Sequence, residues 1–185
     1  MRVRVVAGLV LGLTLGAAPL KAQAAAGSPR AVAERVLGAL ASRNAAAFGR
    51  DMHPEAMAAF KSGVVRGLAQ VTAAEDKAEV EKFFQGDEKF DRLSAMPPDR
   101  FFTAYMGGVF QRMREEGNVR VNYAVLGEVP EGNSQVHVVY RGRITAGDQT
   151  LSDVDILTLR RSPGGWKALL SGELRALAGP GGITE

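Results

Sequence analysis

The chain has 185 residues, with 23 lysines and arginines against 20 aspartates and glutamates, and it contains no cysteine. The absence of cysteine excludes disulfides, thiolate metal ligands, a cysteine nucleophile and a lipid-modified cysteine. Arg2, Arg4 and Lys21 account for the positive excess, so residues 25–185 carry 20 basic and 20 acidic side chains. Because the basic residues are scattered along this neutral remainder, the sequence gives no indication of nucleic-acid binding.

The first 24 residues have the pattern of a secretory signal peptide. Two arginines precede an apolar run over residues 5–20, and Ala22-Gln23-Ala24 supplies the small-x-small sequence that a signal peptidase accepts. The run is too short and too rich in glycine for a membrane span. We therefore expect export, to the periplasm of a Gram-negative-type bacterium or to the medium, with no stable membrane anchor after cleavage. The remaining chain is expected to form a single domain over residues 25–178 and a flexible tail over 179–185.

The first part of the expected domain carries signals for helix starts. Ser28-Pro29 combines a capping hydroxyl with proline at the first helical position, and Val32, Val36 and Leu37 then follow at helical spacing. A short second helix is predicted over residues 44–49. His53-Pro54-Glu55 is expected to start a third helix.

Two further helices are predicted before the strands. Thr72-Ala-Ala-Glu75 is interpreted as a capping box that opens a helix ending at Gly86. Residues 87–98 are expected to form a connection, and Asp99 is expected to cap the strongest helix of the chain. We expect its apolar stripe to lie against the sheet. The stripe consists of Phe101, Phe102, Tyr105, Met106, Val109, Phe110 and Met113.

Two adjacent glycines interrupt this stripe. Gly107 and Gly108 in a helix interior cost about 1–2 kcal/mol together relative to alanine. The sequence therefore predicts a compensating reason, which is either the close approach of another backbone or space for a ligand over Phe102 and Tyr105. Close packing is the commoner explanation.

After Gly117 the apolar period changes from 3.6 to 2, which is typical of strands. Glycine-containing turn pairs separate the alternating segments. Four consecutive antiparallel strands are predicted, over about residues 119–129, 135–146, 150–161 and 166–177. The fold class is therefore α+β, with N-terminal helices packed on one face of a bent four-stranded antiparallel meander.

Three stretches resemble the nuclear transport factor 2-like superfamily, whose members form a cystatin-like α+β cone. They are residues 43–48, the following Met52-His53-Pro54, and the hairpin over 155–167 with Trp166 just past a glycine turn. The resemblance implies a bent sheet around helices in an exported member of unknown function. It also implies an enzymatic alternative to a non-catalytic role, because relatives of this fold include small-pocket isomerases, dehydratases and cyclase-like enzymes. Many members dimerise sheet to sheet.

Asp51 and His53 are the first candidate acid/base pair. Their functional interpretation is a pair at the mouth of a cone pocket, with an imidazole that titrates near neutral pH. Their structural interpretation, which we favour, is that they end one helix and cap the next. His137 is the other histidine, and no spacing of histidines or acids indicates a metal site.

Asp153 and Asp155 are the second candidate acid/base pair. They are two residues apart on one strand and therefore point to the same face. Arg141 and Arg143 share a face of the preceding strand, and a three- or five-residue turn would place the two pairs opposite each other. The favoured interpretation is an exposed cross-strand ladder. One of the aspartates is the first place to look for a general base if the pocket proves polar.

An apolar pocket is the remaining candidate site. The residues predicted to bind a small apolar ligand are Phe102, Tyr105, Tyr123, Tyr140 and Trp166. For Trp166, which follows a turn in an apolar strand, a core position is favoured over a role as a cofactor platform. No cofactor is expected.

The outer face of the sheet is predicted to mediate a homodimer. Val154, Ile156 and Leu169 would point away from the helices and leave an exposed apolar patch, which usually marks an interaction surface. Alternatively, the tail after Ala176 covers it.

Two functions remain open from the sequence. The first is an exported, non-catalytic domain that binds a small apolar ligand or a protein partner. The alternative is a small-pocket isomerase, dehydratase or cyclase-like enzyme, which requires convergent polar groups inside the cone.

Overall fold

The computed structural model describes residues 27–86, 88–115, 117 and 119–170. The predicted signal peptide and the predicted tail after residue 178 lie outside the described residues. Six helices precede four strands in the described part of the chain, which confirms the α+β class. The helices are α1 Pro29–Ala41, α2 Ala45–Arg50, α3 Pro54–Leu68, α4 Ala74–Phe83, α5 Phe90–Leu93 and α6 Pro98–Glu115. The strands are β1 Val119–Glu131, β2 Gln135–Ala146, β3 Gln149–Ser162 and β4 Gly165–Ala168.

The first three helices start where the sequence predicts. The Ser28 hydroxyl accepts a hydrogen bond from the Ala31 amide at 3.2 Å, and the Asn44 side chain accepts one from the Ala47 amide at 3.0 Å. His53 Nδ1 accepts a hydrogen bond from the Glu55 amide at 3.3 Å and so caps α3. Each cap satisfies an amide that has no partner within its own helix.

The later helix boundaries differ from the prediction. The N-cap of α4 is Ala73, which provides no side-chain cap, so the predicted capping box at Thr72 does not form because the helix starts one residue too late for it. The predicted connection contains α5. Asp99 is not the cap of α6: the Phe101 amide already bonds to the Pro97 carbonyl at 2.8 Å, which places Asp99 in the first turn.

The strands form one antiparallel sheet in the order β1-β2-β3-β4. The first three match their predicted ranges within two residues, whereas β4 ends at Ala168 and residues 171–177 lie outside the described part. The chain between α2 and α3 adds a parallel bridge to β4. The Ala168 amide bonds to the Asp51 carbonyl at 2.8 Å, and the His53 amide bonds to the Ala168 carbonyl at 2.7 Å.

The helix that lies along the sheet is α1, which contacts all four strands. The expectation that α6 would lie against the sheet is wrong, because α6 packs mainly against α2, α3 and α4. The buried apolar stripe on α6 is confirmed, with Phe101 and Phe102 fully buried. Aromatic rings from the neighbouring helical segments pack against this stripe. Attraction between the aromatic rings explains why the stripe faces these segments and not the strands. The rings are Phe48, Phe60, Phe83 and Phe84.

Candidate functional site: a recess on the inner face of the sheet

The hairpin between β2 and β3 decides which side chains share a face. Only Gly147 and Asp148 lie between the paired residues Ala146 and Gln149, and Gly147 has the positive φ of 57° that favours glycine. Residues directly opposite each other point to the same face. Because the buried pair Val138 and Leu157 marks the face toward the helices, every even-numbered residue of β2 and every odd-numbered residue of β3 lies on this inner face.

This register brings four predicted site residues together. Tyr140 is opposite Asp155, and Asp153 is opposite Gly142, which is itself opposite Tyr123 of β1. The two tyrosine rings pack edge to face, with their centroids 5.6 Å apart and an angle of 76° between their planes. The side chains enclose a small recess of about 80 Å³. Its lining residues are Tyr123, Tyr140, Gly142, Ile144, Leu151, Asp153 and Asp155.

Hydrogen bonds fix the acidic wall of the recess. The Tyr140 hydroxyl donates to Asp155 Oδ2 at 3.1 Å, and the Ile156 amide donates to Asp155 Oδ1 at 2.7 Å. Asp153 accepts from the Val154 amide at 2.8 Å through Oδ1. These contacts join Asp155 to Tyr140 and hold one oxygen of Asp153 against its own strand. The recess can therefore offer carboxylate oxygens and aromatic surface to the same small molecule.

The arginines expected opposite these aspartates lie on the other side of the sheet. Arg141 is paired with Val154 and Arg143 with Ser152, so the predicted cross-strand ladder does not form. The reason is the length of the turn. Two residues lie between Ala146 and Gln149, whereas a turn of three or five residues would have placed the arginines opposite the aspartates. Arg120 of β1 also points outward, since it is paired with Thr145. These three exposed arginines form a basic cluster, which the scattered positions in the sequence did not indicate.

Three residues of the recess lining were not predicted as site residues. Gly142 and Ile144 follow Tyr140 at two-residue intervals on β2, and Leu151 is opposite Ile144. The alternation of side chains along a strand was the signal that could have identified the first two. Leu151 could be assigned only with the length of the turn.

Asp51 is buried and held by two basic side chains. Arg35 of α1 donates from Nε to Asp51 Oδ2 at 3.0 Å and from Nη2 to Oδ1 at 3.2 Å. Lys167 Nζ of β4 lies 3.9 Å from Asp51 Oδ1. The carboxylate thus connects α1 with β4 beneath the sheet, and its contacts are those of a structural residue.

His53 is the other buried polar residue in the described part of the chain. Its Nδ1 accepts the capping hydrogen bond of α3, and this acceptor role requires an unprotonated nitrogen. Within the described residues, no hydrogen bond joins the side chains of His53 and Asp51. The predicted acid/base role therefore has no geometric support here, and the structural interpretation accounts for both residues.

The other three predicted ligand-binding residues lie away from the recess. Phe102 is buried between Phe48 and Phe60, with centroid distances of 5.4 and 5.1 Å. Tyr105 packs among the helices, where burial raises the pKa of its phenol and the Arg112 cation lowers it in part. Trp166 is partly buried, with the Arg161 guanidinium 5.3 Å from its ring centroid.

Three larger surface clefts flank other elements of the described chain, the smallest of them, of about 190 Å³, between α4 and α6. One of about 370 Å³ lies between α2 and the start of α6, and it is lined by Gly49, Arg50, Met96, Asp99, Arg100, Thr103 and Ala104. The second, of about 250 Å³, lies between α1 and β1. Tyr123 lines both this second cleft and the recess, so the two are separated by one aromatic side chain.

The outer face of the sheet carries exposed apolar side chains. Val154 is 49% and Ile156 is 48% exposed, as predicted for an apolar patch. Leu169, the third predicted member, is instead partly buried and packs against the core. Leu126 at the β1 bulge and Val129 are also exposed. The patch is thus centred on β3 and borders the basic cluster.

The described ranges contain neither a metal-binding cluster nor a membrane-spanning helix. Across these ranges, no group of three or more histidine, cysteine, aspartate or glutamate side chains is placed to hold a metal ion. None of the helices that the structure describes combines the length and the apolar character of a membrane span.

Comparisons with known proteins give a distant structural similarity. No family model and no curated protein matches the chain. A solved structure from Thiobacillus denitrificans, named after the association domain of calcium/calmodulin-dependent protein kinase type II, is similar with a TM-score of 0.42 and 13% identity. The alignment covers 78% of this chain and 91% of that one.

Proposed function

We propose that this protein is an exported, non-catalytic domain of the nuclear transport factor 2-like superfamily that binds a small molecule in the recess on the inner face of its sheet. The observation that carries the proposal is the meeting of Tyr123, Tyr140, Asp153 and Asp155 around one opening. Ligand sites combine apolar or aromatic surface with a few convergent polar groups, and this recess does so. The helix-first order followed by a four-strand meander agrees with the superfamily.

Binding is favoured over catalysis by what surrounds the carboxylates. Asp155 already accepts hydrogen bonds from Tyr140 and from a backbone amide. A catalytic aspartate needs an acid or electrophile beside it, and none of the residues lining the recess is a histidine, lysine or arginine. The Tyr140 hydroxyl, which could serve the isomerase, dehydratase or cyclase-like alternative as an acid, donates its hydrogen bond to Asp155 instead.

Tyrosine NMR tests the binding proposal with an internal control. The chain has three tyrosines, of which two line the recess and the third, Tyr105, lies among the helices. Protein with ring-labelled tyrosine is titrated with 1-butylamine, 1-butanol and butyrate. We expect at least one compound to shift the Tyr123 and Tyr140 resonances and leave Tyr105 unmoved. If none of the three compounds moves either resonance at millimolar concentration, the recess is not a binding site.

Mass spectrometry of the protein from an exporting host tests the export part of the proposal. A mature chain that begins near Ala25 is expected, because Ala22-Gln23-Ala24 satisfies the peptidase. An intact N-terminal methionine on exported protein would contradict cleavage.

A homodimer through the outer face is the second candidate function, and the exposure of Val154 and Ile156 favours it. Since the arginines on this face would approach their copies, association should tighten as salt screens their repulsion. Light scattering at 0.05 and 0.5 M NaCl measures this. Ile156→Lys should abolish the dimer and Leu151→Lys on the inner face should leave it intact. A monomer at micromolar concentration in both salts overturns the candidate.

A further inference from the structure

We propose that the ligand of the recess is a small organic cation, specifically an alkylammonium group attached to a short apolar body. This inference rests on the proposed function and adds the chemical class of the ligand. It is carried by the charge, the aromatic geometry and the size of the recess.

The charge of the recess has one sign. Asp153 and Asp155 contribute two carboxylates, and none of the seven lining residues is basic. On the strands, Arg141 and Arg143 point to the opposite face, and Arg30 of α1 donates to the Val125 carbonyl of β1 at 3.3 Å without lining the recess. Two carboxylates in a recess with no basic lining residue attract a cation and repel an anion.

The aromatic wall complements the same charge. Tyr123 and Tyr140 meet edge to face and line the recess together with the two carboxylates. The negative face of a tyrosine ring attracts ammonium groups. The hydrogen bond from the Tyr140 hydroxyl to Asp155 holds ring and carboxylate in one arrangement, so the site needs little reorganisation on binding.

Gly142 supports the Tyr123 ring from below. A Cβ atom at this position would lie 3.4 Å from Tyr123 Cε1, so the ring packs directly on the glycine backbone. A larger side chain here would push the ring away and disrupt the aromatic wall of the recess.

The size of the recess selects a head group. Its volume of about 80 Å³ is well below the roughly 300–1,000 Å³ of sites that enclose a whole drug-sized molecule. Only the charged end of a ligand fits inside. Ile144 and Leu151 are 44% and 72% exposed at the rim, where they provide apolar surface for the attached carbon chain. The apolar ligand predicted from the sequence thus becomes an amphiphile whose cationic end enters first.

A matched titration tests the ligand class. 1-Butylamine, which is protonated at pH 7, 1-butanol and butyrate have the same chain and differ in charge. We expect butylammonium to bind about tenfold more tightly than butanol and butyrate not to bind, as read from the Tyr123 and Tyr140 resonances. Equal binding of butanol and butylammonium, or tighter binding of butyrate, overturns the cation proposal and leaves the binding function standing. If none of the three compounds shifts the Tyr123 or Tyr140 resonance, the binding function itself is refuted.

Variants separate charge from shape. Asp153→Asn keeps the volume of the recess and removes one charge, so it should weaken butylammonium about fivefold or more and leave butanol unchanged. Asp148→Asn in the neighbouring turn removes the same charge outside the recess and is the control. Gly142→Val should block all ligands. Circular dichroism checks folding, and an unfolded Asp153→Asn is replaced by Asp153→Ser. A folded Asp153→Asn or Asp153→Ser variant that binds butylammonium as well as the wild type overturns the proposal.

Two sources could supply the same ammonium chemistry. One is a free amine, and the other is a lysine side chain of a partner protein. Nα-acetyl-lysine methylamide distinguishes them when it is titrated beside butylamine. Tighter binding of the lysine derivative assigns the recess to a protein lysine, tighter binding of butylamine assigns it to a free amine, and binding of neither overturns the cation class.

Discussion

Gly108 of α6 lies directly against the backbone carbonyl of Phe83, the last residue of α4. A Cβ atom at Gly108 would collide with this carbonyl oxygen and would also lie 2.9 Å from Phe83 Cζ. At Gly107, the nearest atom to such a Cβ is the flexible end of the Gln85 side chain at 3.4 Å. The sequence left two explanations for the glycine pair, and the close approach of another backbone is the one that the structure supports, at Gly108.

The two glycines should respond oppositely to alanine. We expect Gly108→Ala to lower the free energy of unfolding by about 1–3 kcal/mol, because a backbone carbonyl cannot move away as a side chain can. Gly107→Ala is the matched control, and it should be neutral or stabilising by up to about 1 kcal/mol through helix propensity. Urea unfolding of both variants measures this. Equal losses for the two would show that helix packing at Gly108 is looser than described.

The Asp51 carboxylate should contribute more than an exposed ion pair. Asp51→Asn removes the charge from its bidentate contact with Arg35, and we expect a loss of about 1–3 kcal/mol, moderated because Arg35 is half-exposed. Glu34→Gln is the control, since its pair with Arg30 is exposed on both sides and should cost about 0–1 kcal/mol. Thermal or urea unfolding at low salt compares them. A smaller loss for Asp51→Asn than for Glu34→Gln would contradict the structural role of Asp51.

Glu81 should make stability depend on pH in the acidic range. The Phe90 amide and the Lys89 ammonium donate to its carboxylate and hold the pKa of Glu81 below its ordinary value of 4.5. A lowered pKa stabilises the folded state above the ordinary value, and this contribution disappears as pH falls through the folded-state pKa. The wild type should therefore be more stable than Glu81→Gln at pH 7, and this difference should shrink as pH falls below 4.5 and through the lowered folded-state pKa. The exposed Glu79→Gln on the same helix is the control.

Unfolding curves between pH 7 and pH 3 provide the measurement for Glu81. A stability gap between the wild type and Glu81→Gln that stays constant over this range would show that the hydrogen bonds, rather than the ionised carboxylate, carry the effect.

Phe110 should be among the costliest core residues to truncate. It is 3% exposed, and its ring centroid lies 6.4 Å from that of Phe48 on α2. Phe110→Ala is expected to cost about 3–5 kcal/mol, since the cavity between two packed helices cannot collapse fully. Val109→Ala, at a partly buried neighbouring position, should cost less. Wild-type thermal stability of Phe110→Ala would place the stripe outside the core.

Local signals predicted the elements well. Ser28, Asn44 and His53 each start a helix because a side-chain acceptor at these positions satisfies an amide of the first turn, which needs no knowledge of the rest of the fold. The strand β2 has its predicted bounds because glycine turns flank an alternating segment. Such features depend on neighbours within a few residues and can be recognised in one sequence.

Features that depend on distant partners were predicted less well. The stripe of α6 was identified, but its partners were not, because aromatic residues of α2, α3 and α4 compete with the sheet for the same face. In the candidate site, Tyr123, Tyr140, Asp153 and Asp155 were named separately, as a pocket and as a surface ladder. Their convergence depends on the length of the turn at Gly147, which is two residues. The amino-acid composition of the turn did not determine this length.

The same turn has a consequence for folding. If β3 slips by one residue, Arg141 comes opposite Asp155 and Arg143 opposite Asp153, so a misregistered hairpin gains two ion pairs. Each pair contributes only about 0.2–1 kcal/mol on a solvated sheet. The slip would also turn Leu157 and Leu159 out of the core, which costs about 1.5–3 kcal/mol for each leucine. Burial therefore outweighs charge pairing, and the carboxylates of the recess stay on the face opposite Arg141 and Arg143 because the core, and not the electrostatics, sets the register.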